Sequence, residues 1–301
     1  MNGADAAAER VRNAPIGVFD SGIGGLSVLQ ALRAELPAER FVYLADTGHA
    51  PYGERGDAFV ARRTHTVARY LVQQHGAKAL VVACNTATAA AMDSLRQRYP
   101  RLPLVGVEPA LKPAASATHT GHIAVMATRG TVSSARFERL IAALPPQVQC
   151  RIQACDGLAS AIEAQAACAP QDSAADAAKT LELCRRYVKA LGPWGEKAGE
   201  TDTLVLGCTH YVFAQEVLQQ LLGPKVQILS TGEPVARQTR RLLANAGCLQ
   251  PLDTLPKHAD VCLLTTGSAA PLDMAVLRWL GLSARARTLA AHGKKLSQIT
   301  I

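Results

Sequence analysis

Two apolar runs that each end at a cysteine constrain the fold of this chain more than any other feature. Residues 79–83 read Ala-Leu-Val-Val-Ala and precede Cys84, and residues 203–207 read Thr-Leu-Val-Leu-Gly and precede Cys208. Short apolar runs of this kind are typical of parallel strands that are buried on both faces. Ligands bind at the carboxyl ends of such strands. The two cysteines therefore predict a reaction centre that is assembled from two related halves of the chain.

The rest of the chain alternates between strand patterns and helix patterns. A strand predicted over 15–20 is followed by a glycine-rich loop at 21–25 and by a helix over 26–36. Alternation at this spacing is typical of an α/β protein with parallel sheets. Further strands are predicted at 40–46, 103–107, 122–128, 148–155, 226–229 and 260–265.

The composition is that of a globular protein. Of the 301 residues, 49% are hydrophobic and 19% are charged, which allows a sizeable core. No run approaches the roughly 18 apolar residues that a membrane helix needs, so no membrane partner is expected. The net charge of +8 is compatible with an anionic substrate, although solvated helix faces explain it more simply. The aromatic content of 4% argues against a stacking platform for single-stranded nucleic acid.

The chain contains eight cysteines, and none of them forms a C-x-x-C pair. A zinc ribbon or a thioredoxin motif is therefore not expected. The N-terminus shows no signal-peptide pattern, so we expect a cytoplasmic protein with reduced thiols. Buried cysteines are usually inert core residues. We expect this of Cys150, Cys155, Cys168, Cys184, Cys248 and Cys262.

The positions of Cys84 and Cys208 suit proton transfer. A thiol with an ordinary pKa of about 8.5 becomes a base when a helix N-terminus or hydrogen bonds lower that pKa. Two facing thiols can invert a stereocentre, because one removes a proton from carbon and the other returns one to the opposite face. Such a reaction needs no cofactor and no redox change. Asn85, Thr86 and Thr209 adjoin the thiols and can stabilise the carbanion.

Two further residues adjoin the predicted strand ends. Asp20 closes the first strand beside the glycine loop, where it acts either as a helix cap or as a functional acid. The loop can bind an anion at the start of its helix, but its G-x-G-G pattern lacks the rest of a dinucleotide fingerprint. The carboxylate of a small substrate fits it equally well. His210 lies two residues after Cys208, where it can polarise that thiol or bind substrate.

Other interpretations remain open at this point. Cys84, Cys208 and His210 could hold a metal ion, but their spacing is not diagnostic. The two cysteines could also form a disulfide. A pyridoxal-phosphate enzyme is disfavoured because no strand-end lysine motif stands out. A binding protein that uses its basic surface is the alternative from a different class.

Four motifs together carry a family resemblance. They are Phe-Asp-Ser-Gly-Ile-Gly-Gly at 19–25, Pro-Tyr-Gly at 51–53, Ala-Cys-Asn-Thr-Ala at 83–87 and Gly-Cys-Thr-His-Tyr at 207–211. In this order they resemble the glutamate racemases of the cofactor-independent aspartate/glutamate racemase superfamily. The resemblance implies two pseudo-symmetric three-layer α/β domains with parallel sheets and an active site in the cleft between them. It also implies interconversion of L- and D-glutamate, which supplies D-glutamate for peptidoglycan, with no cofactor and no metal.

The resemblance also implies roles for individual residues. Cys84 and Cys208 match the two acid/base catalysts, of which the first usually acts on D-glutamate and the second on L-glutamate. Asp20 matches the acid that assists Cys84, and His210 matches the group that assists Cys208. Glu163 falls where the family often has an acid. Matches to substrate contacts are Ser21, Tyr52, Gly53, Asn85, Thr86, Thr131 and Thr209, together with Asp20 and His210.

The sequence departs from the family pattern at several positions in its second half. Asp156 and Val212 stand where proline is typical, and Phe137 stands where tyrosine is common. These departures concern the mouth of the site and the surroundings of Glu163. They leave both thiols in place.

Turn-like segments predict the domain boundaries, and the resemblance indicates the partners. A homodimer or a monomer–dimer equilibrium is expected, with glutamate as the small-molecule substrate. Some family members bind DNA gyrase, but no residue of this sequence supports gyrase or nucleic-acid binding here. Alternatives are a racemase for aspartate or another amino acid, and a non-catalytic binding relative; a decarboxylase would need only one thiol.

The predicted segments are a flexible N-terminal tail at 1–14, a first domain at 15–112 plus 227–285, a second domain at 113–226 and a C-terminal tail at 286–301.

Overall fold

The computed structural model describes residues 3–167, 174–252, 261–292 and 295–298. Within these residues the chain forms eleven strands and twelve α-helices. The strands are β1 (Ile16–Asp20), β2 (Phe41–Ala45), β3 (Ala79–Val82), β4 (Leu104–Gly106), β5 (His122–Ala127), β6 (Gln149–Ala154), β7 (Thr203–Gly207), β8 (Gln227–Leu229), β9 (Val261–Thr265), β10 (Arg287–His292) and β11 (Lys295–Gln298). The helices are α1 (Gly3–Asn13), α2 (Leu26–Glu35), α3 (Asp57–His75), α4 (Asn85–Arg98), α5 (Leu111–Ala117), α6 (Arg129–Val132), α7 (Ala135–Ala142), α8 (Leu158–Ala167), α9 (Ala174–Ala190), α10 (Gln215–Leu222), α11 (Gly232–Asn245) and α12 (Ala269–Leu280).

The strands form two separate sheets, and we call the part of the chain built on each sheet a domain. The first sheet has the order β11-β10-β9-β2-β1-β3-β4, and the second has the order β6-β5-β7-β8. All neighbouring strands are parallel except β10 and β11, which pair antiparallel. This arrangement confirms the predicted α/β class with parallel sheets.

The two sheets share one internal order. In the first domain β1 lies between β2 and β3, with β4 beyond β3, and in the second domain β5 lies between β6 and β7, with β8 beyond β7. β3 and β7 are therefore equivalent strands. Cys84 follows β3 after one residue and Cys208 follows β7 directly. The common order explains why two similar apolar runs in the sequence both end at a cysteine.

Burial on both faces accounts for the apolar strands. In β1, β3 and β7 every residue is buried. One face of the first sheet packs on α2, α11 and α12, and the other packs on α3 and α4. The second sheet likewise has a core on each face. Helices on both sides leave only the strand ends open to ligands.

A helical segment begins directly after each of the two cysteines. Helix α4 starts at Asn85. After Cys208 a 3₁₀ segment, Thr209–Ala214, precedes α10. The first amides of a helix lack partners within the helix, and Cys84 Sγ accepts a hydrogen bond from one of them, the amide of Ala87. Each cysteine occupies the N-cap position of the helical segment that follows it.

Three predicted boundaries differ from the structure. Residues predicted as an N-terminal tail form α1, whose alanine-rich sequence favours a helix. Residues 287–292 and 295–298, predicted as a tail, form β10 and β11 of the first sheet, where Leu289 and Leu296 are buried. The prediction assigned β8 to the returning segment of the first domain, 227–285, but β8 pairs with β7 in the second domain. Asp260 of the strand predicted at 260–265, and Cys168, lie outside the described residues.

No helix in the described parts of the chain is both long and apolar enough to span a bilayer.

A buried ion pair lies at the amino-terminal end of the first sheet, opposite the cysteines. Lys78 Nζ lies 2.5 Å from Glu39 Oε2, and both side chains are almost fully buried. The ammonium also donates to the carbonyl oxygens of Arg12 at 2.5 Å and Cys248 at 2.9 Å. One cation therefore connects α1, β3 and the segment after α11.

Replacement of Lys78 by methionine should destabilise the fold, because it leaves the Glu39 carboxylate buried without a counterion. We expect a loss of about 3–5 kcal/mol in the free energy of unfolding, measured by urea denaturation. Lys225→Met, which removes the exposed partner of Glu196, is the matched control and should change little. Lys78→Met combined with Glu39→Leu should recover part of the loss. Equal stability of Lys78→Met and wild type would contradict the role of the pair.

Candidate active site

A cavity of about 430 Å³ lies between the two domains, at the carboxyl ends of their strands. Both cysteines line it, so the structure brings together the two thiols that the sequence singles out. Most of the other predicted site residues line it as well, whereas Asp20 and Thr131 do not. The predicted residues that line the cavity are Ser21, Tyr52, Gly53, Cys84, Asn85, Thr86, Glu163, Cys208, Thr209 and His210.

Cys84 is held at the start of α4. Its Sγ accepts a hydrogen bond from the amide of Ala87 at 3.5 Å and lies 3.7 Å from Ser21 Oγ. Burial raises the pKa of this thiol well above its usual value, and the negative charge of Asp20 raises it further. The hydrogen bond from Ala87, at the helix N-terminus, lowers the pKa of Cys84 as the sequence analysis expected. The cost of burying a thiolate is larger, so the net shift of the pKa is upward.

Asp20 lies behind Ser21, fully buried. Its Oδ1 accepts from the amide of Ser21 at 2.6 Å, and its Oδ2 accepts from the amide of Gly25 and from Thr209 Oγ1 at 3.3 Å. Burial raises the pKa of Asp20, although the charge of His210 opposes this rise. The carboxylate thus connects the Cys84 side of the cavity with the segment that follows Cys208.

Cys208, His210 and Glu163 form a row on the other side. His210 Nδ1 lies 3.8 Å from Cys208 Sγ, and His210 Nε2 lies 2.5 Å from Glu163 Oε2. Burial by itself lowers the pKa of His210, but the contacts with Cys208 and Glu163 outweigh burial and raise it well above its usual value. These contacts favour the protonated form of His210, which lies between a carboxylate and a thiol.

Glu163 also contacts the first domain. Both of its carboxylate oxygens accept from the amide of Ile23, at 3.1 and 3.2 Å. The prediction placed Glu163 here only by family resemblance. The structure shows that it joins the glycine loop after β1 to the histidine after β7.

The glycines of the loop at 21–25 allow this close approach. A Cβ on Gly22 would lie 2.5 Å from Glu163 Oε2, and a Cβ on Gly24 would overlap His210 Nδ1 and lie 2.7 Å from Thr209 Oγ1. The loop therefore has no room for side chains where it faces the second domain.

Tyr52 and Gly53 lie on a loop fixed by a buried carboxylate that sequence reasoning missed. Tyr52 donates to Asp46 Oδ2 at 2.5 Å, and Arg63 donates to both oxygens of Asp46 at 2.8 and 2.9 Å. The carbonyl of Gly53 accepts from the amide of Gly130 in the second domain at 2.9 Å. Asp46 directly follows β2, and Asp20 is the last residue of β1. This shared position at a strand end could have identified Asp46 from the sequence.

A row of hydroxyl groups crosses between the domains. Thr86 Oγ1 lies 2.9 Å from Thr128 Oγ1, which lies 2.9 Å from Thr131 Oγ1. Thr128, rather than Thr131, lines the cavity. Thr131 was predicted as a substrate contact, but here it lies behind Thr128 and orients its hydroxyl. Thr128 directly follows β5, the equivalent of β1, which could have identified it.

The side-chain amide of Asn85 is buried in the cavity without a hydrogen-bond partner. It is 4% exposed, and neither its amide nitrogen nor its amide oxygen has a hydrogen-bond partner. Buried polar groups of this kind are nearly always satisfied, so an unsatisfied amide in a cavity indicates a ligand position. This agrees with the predicted substrate contact.

Two contacts border the mouth of the cavity. Arg129 and Asp156 form an exposed ion pair in the second domain. The carboxylate of Glu54 accepts from the amide of Gly157 at 3.2 Å across the two domains. Asp156, where the family typically has proline, therefore serves as the partner of Arg129.

Two of the alternative interpretations can be compared with the geometry. Cys84 and Cys208 both carry free thiols, not a disulfide. Within the described part of the chain, no group of three or more histidine, cysteine, aspartate or glutamate side chains could hold a metal ion.

Comparisons with known proteins agree with this site. The family model for Asp/Glu/Hydantoin racemase matches residues 16–239. A glutamate racemase from Ectopseudomonas mendocina is 49% identical over 230 residues, which cover 76% of this chain and 82% of the relative. A glutamate racemase from Ralstonia pickettii is 41% identical over 288 residues, which cover 96% of this chain and 95% of the relative.

Solved structures give the same result. The structure of Escherichia coli glutamate racemase in complex with L-glutamate and the activator UDP-MurNAc-ala has a TM-score of 0.77 and 31% identity, over 93% of this chain and 100% of that chain. A glutamate racemase isoform from Bacillus anthracis has a TM-score of 0.76 and 31% identity, over 92% and 97% of the two chains.

Two α/β domains with a thiol at equivalent strand ends define a class of isomerase that acts without a cofactor. The chain belongs to the Asp/Glu/Hydantoin racemase family and, within it, to the glutamate racemases. The resemblance predicted from the four motifs is thereby confirmed.

Gly24→Ala should reduce racemisation by about 100-fold, because the new Cβ displaces His210 and Thr209, and misplacement by about 1 Å costs that much. Gly56→Ala is the matched control, since a Cβ there meets no atom within 4 Å. Initial rates with each enantiomer provide the measurement. Full activity of Gly24→Ala would show that the loop does not hold these groups.

The raised pKa of His210 predicts how stability depends on pH. Folding makes this histidine bind its proton more tightly, so its stabilisation is complete below the unfolded pKa of about 6.5. That stabilisation is lost as pH rises through the higher pKa of the folded protein. The stability advantage of wild type over His210→Asn, measured by urea denaturation at several pH values, should therefore shrink with rising pH. An advantage that stays constant or grows would mean that His210 is not a cation in the folded protein.

Proposed function

We propose that this protein interconverts L- and D-glutamate by proton transfer at Cα between Cys84 and Cys208. The observation that carries the proposal is the position of the two thiols just after equivalent strands, β3 and β7, of two domains that share one cavity. A proton removed by one thiol and returned by the other arrives on the opposite face of the carbon. The product is the other enantiomer, and the net change in the protein is one proton moved between two sulfurs.

The two thiols have different charged neighbours. His210 Nδ1 lies 3.8 Å from Cys208 Sγ, and its contacts raise the pKa of this histidine well above its usual value. Burial and Asp20 raise the pKa of Cys84 and favour its protonated form. Cys84 is therefore set to return a proton from its thiol, and Cys208 is the partner that removes one. By family resemblance, Cys208 acts on L-glutamate and Cys84 on D-glutamate.

In the reverse direction the protons must be redistributed. Once Cys84 has given up its proton, its thiolate keeps the hydrogen bond from Ala87 and the nearby hydroxyl of Ser21. These two contacts favour the charged form of the thiol. Asp20, which bonds the Ser21 amide, orients that hydroxyl and is a positioning group for Cys84.

Polar groups around the cavity support binding of an amino acid with two carboxylates. The unpartnered amide of Asn85 and the hydroxyls of Ser21 and Thr86 provide donors for carboxylate oxygens. Donors at this position also stabilise the negative charge that develops when the α-proton leaves. Tyr52, Gly53 and the mouth residues enclose the remainder of the ligand.

The wider setting rests on the family resemblance. It supports supply of D-glutamate for peptidoglycan, a cytoplasmic location, and a homodimer or a monomer–dimer equilibrium. A protein of similar structure from Escherichia coli binds L-glutamate, which supports the same substrate here.

The first test is circular dichroism of the purified protein with L-glutamate or D-glutamate alone, in chelating buffer without pyridoxal phosphate. Both signals should decay to zero, and in heavy water the product should carry deuterium at Cα. Decay with aspartate but not with glutamate would keep the mechanism and change the substrate. No decay with any amino acid would overturn the proposal.

Cys84→Ser and Cys208→Ser should each lower the rate of racemisation by about 100- to 10,000-fold, because each removes one of the two proton-transfer groups. Cys150→Ser is the matched control, since Cys150 is half-buried on β6 outside the cavity. Initial rates by circular dichroism, with melting temperatures for folding, provide the measurement. Full activity in both active-site variants would disprove the two-thiol mechanism.

A further inference from the structure

Two aromatic rings from different domains stack behind the catalytic segment. Phe213 lies in the 3₁₀ segment Thr209–Ala214, and Trp279 lies near the end of α12. Their ring centroids are 3.8 Å apart and their planes differ by 13°. Both rings are half-buried. A close parallel stack has a narrow range of favourable geometries, so it restricts the position of the segment that carries Phe213.

Phe213 belongs to two cores at once. It packs against the buried residues under the first sheet, and it also packs against the core of the second domain. Trp279 packs only against the first of these cores. The stack therefore anchors a segment of the second domain to a helix of the first.

The anchored segment carries the catalytic groups. Cys208 is its N-cap, and His210 lies three residues before Phe213. In a 3₁₀ helix, side chains three residues apart lie above one another on the same side. A shift of the Phe213 ring therefore moves His210, whose contacts with Cys208 and Glu163 depend on its position.

Helix α12 connects the stack to the cavity. The residues at its start, Ser268 and Pro271, line the cavity, and Trp279 lies eight residues beyond Pro271, or about 12 Å along the helix. The guanidinium of Arg278 lies over the Trp279 ring, 5.6 Å from the ring centroid. One rigid helix thus contacts the ligand space at one end and the catalytic segment at the other.

We propose that Trp279 is a positioning residue for racemisation, acting through its stack on Phe213 to hold His210 and Cys208 in place. The expected effect on kcat rests on the proposed function, whereas the expected effect on the position of His210 and Cys208 does not. It assigns a role to a side chain that touches neither the cavity nor a thiol. The stack holds the histidine at the correct distance from the Cys208 sulfur, and the domain contact keeps that sulfur buried.

The test compares Trp279→Leu, which keeps an apolar side chain but removes the stack, with Trp279→Phe, which keeps an aromatic partner. Trp279→Leu should lower kcat about tenfold or more with a change in KM of less than about threefold. Trp279→Phe should restore most of kcat. Leu277→Ala, on the exposed side of the same helix, is the matched control and should keep wild-type kcat. In a His210→Asn background the effect of Trp279→Leu should be smaller, because both changes act on one segment.

A second measurement needs no turnover. The rates at which iodoacetamide alkylates Cys84 and Cys208 are followed by mass spectrometry of their peptides, in the same sample. Trp279→Leu should raise the rate at Cys208 relative to that at Cys84, and Trp279→Phe should not. A general loss of stability would raise both rates together.

The outcomes separate the two proposals. Absence of glutamate turnover by the wild type is a failure of the proposed function, and the alkylation ratio then decides the role of Trp279 alone. Wild-type kcat in Trp279→Leu, or an unchanged alkylation ratio, overturns the positioning role.

Discussion

The contact between the loop after β1 and the segment after β7 is the interaction on which the rest of the site depends. Thr209 donates to Asp20, and Glu163 accepts from Ile23 while it bonds His210. Asp20 ends β1 and Ile23 follows it, whereas Thr209 and His210 follow β7 of the other sheet. Glycines in the loop let backbone and side chains approach closely. The same hydrogen bonds therefore join the domains and orient the groups beside the thiols, so packing between domains and catalysis depend on one set of atoms.

The two thiols have equivalent backbones and different electrostatic surroundings. Both cysteines cap a helical segment after equivalent strands, which explains why each domain contributes one thiol to the same cavity. Cys84 has the Asp20 carboxylate nearby, whereas Cys208 has the His210 imidazole. Repeated architecture supplies the symmetry that inversion of a carbon centre requires. The raised pKa of Cys84, which results from burial and from the Asp20 carboxylate, is one consequence of these different surroundings.

Most of the fold could be predicted from the sequence, because strands that are buried on both faces leave continuous apolar runs. The same rule located both thiols, since each run stops where the strand reaches the edge of its sheet. It failed for β10 and β11. Those strands lie at one side of the first sheet, and only short apolar stretches around Leu289 and Leu296 mark them. An edge strand buries few side chains, so its pattern resembles that of a polar tail.

By itself the sequence determined the α/β class, the two strand-end cysteines and the motifs that carry the family resemblance, because local periodicity and short motifs encode them. Only the tertiary structure decided that Asp20 lies behind Ser21, that Thr128 rather than Thr131 lines the cavity, and that Arg63 fixes Asp46. Tertiary structure also decided the direction of the Cys84 pKa. Each of these features depends on burial and on contacts between distant parts of the chain. Neither burial of a single side chain nor a long-range contact produces a periodic pattern in the sequence.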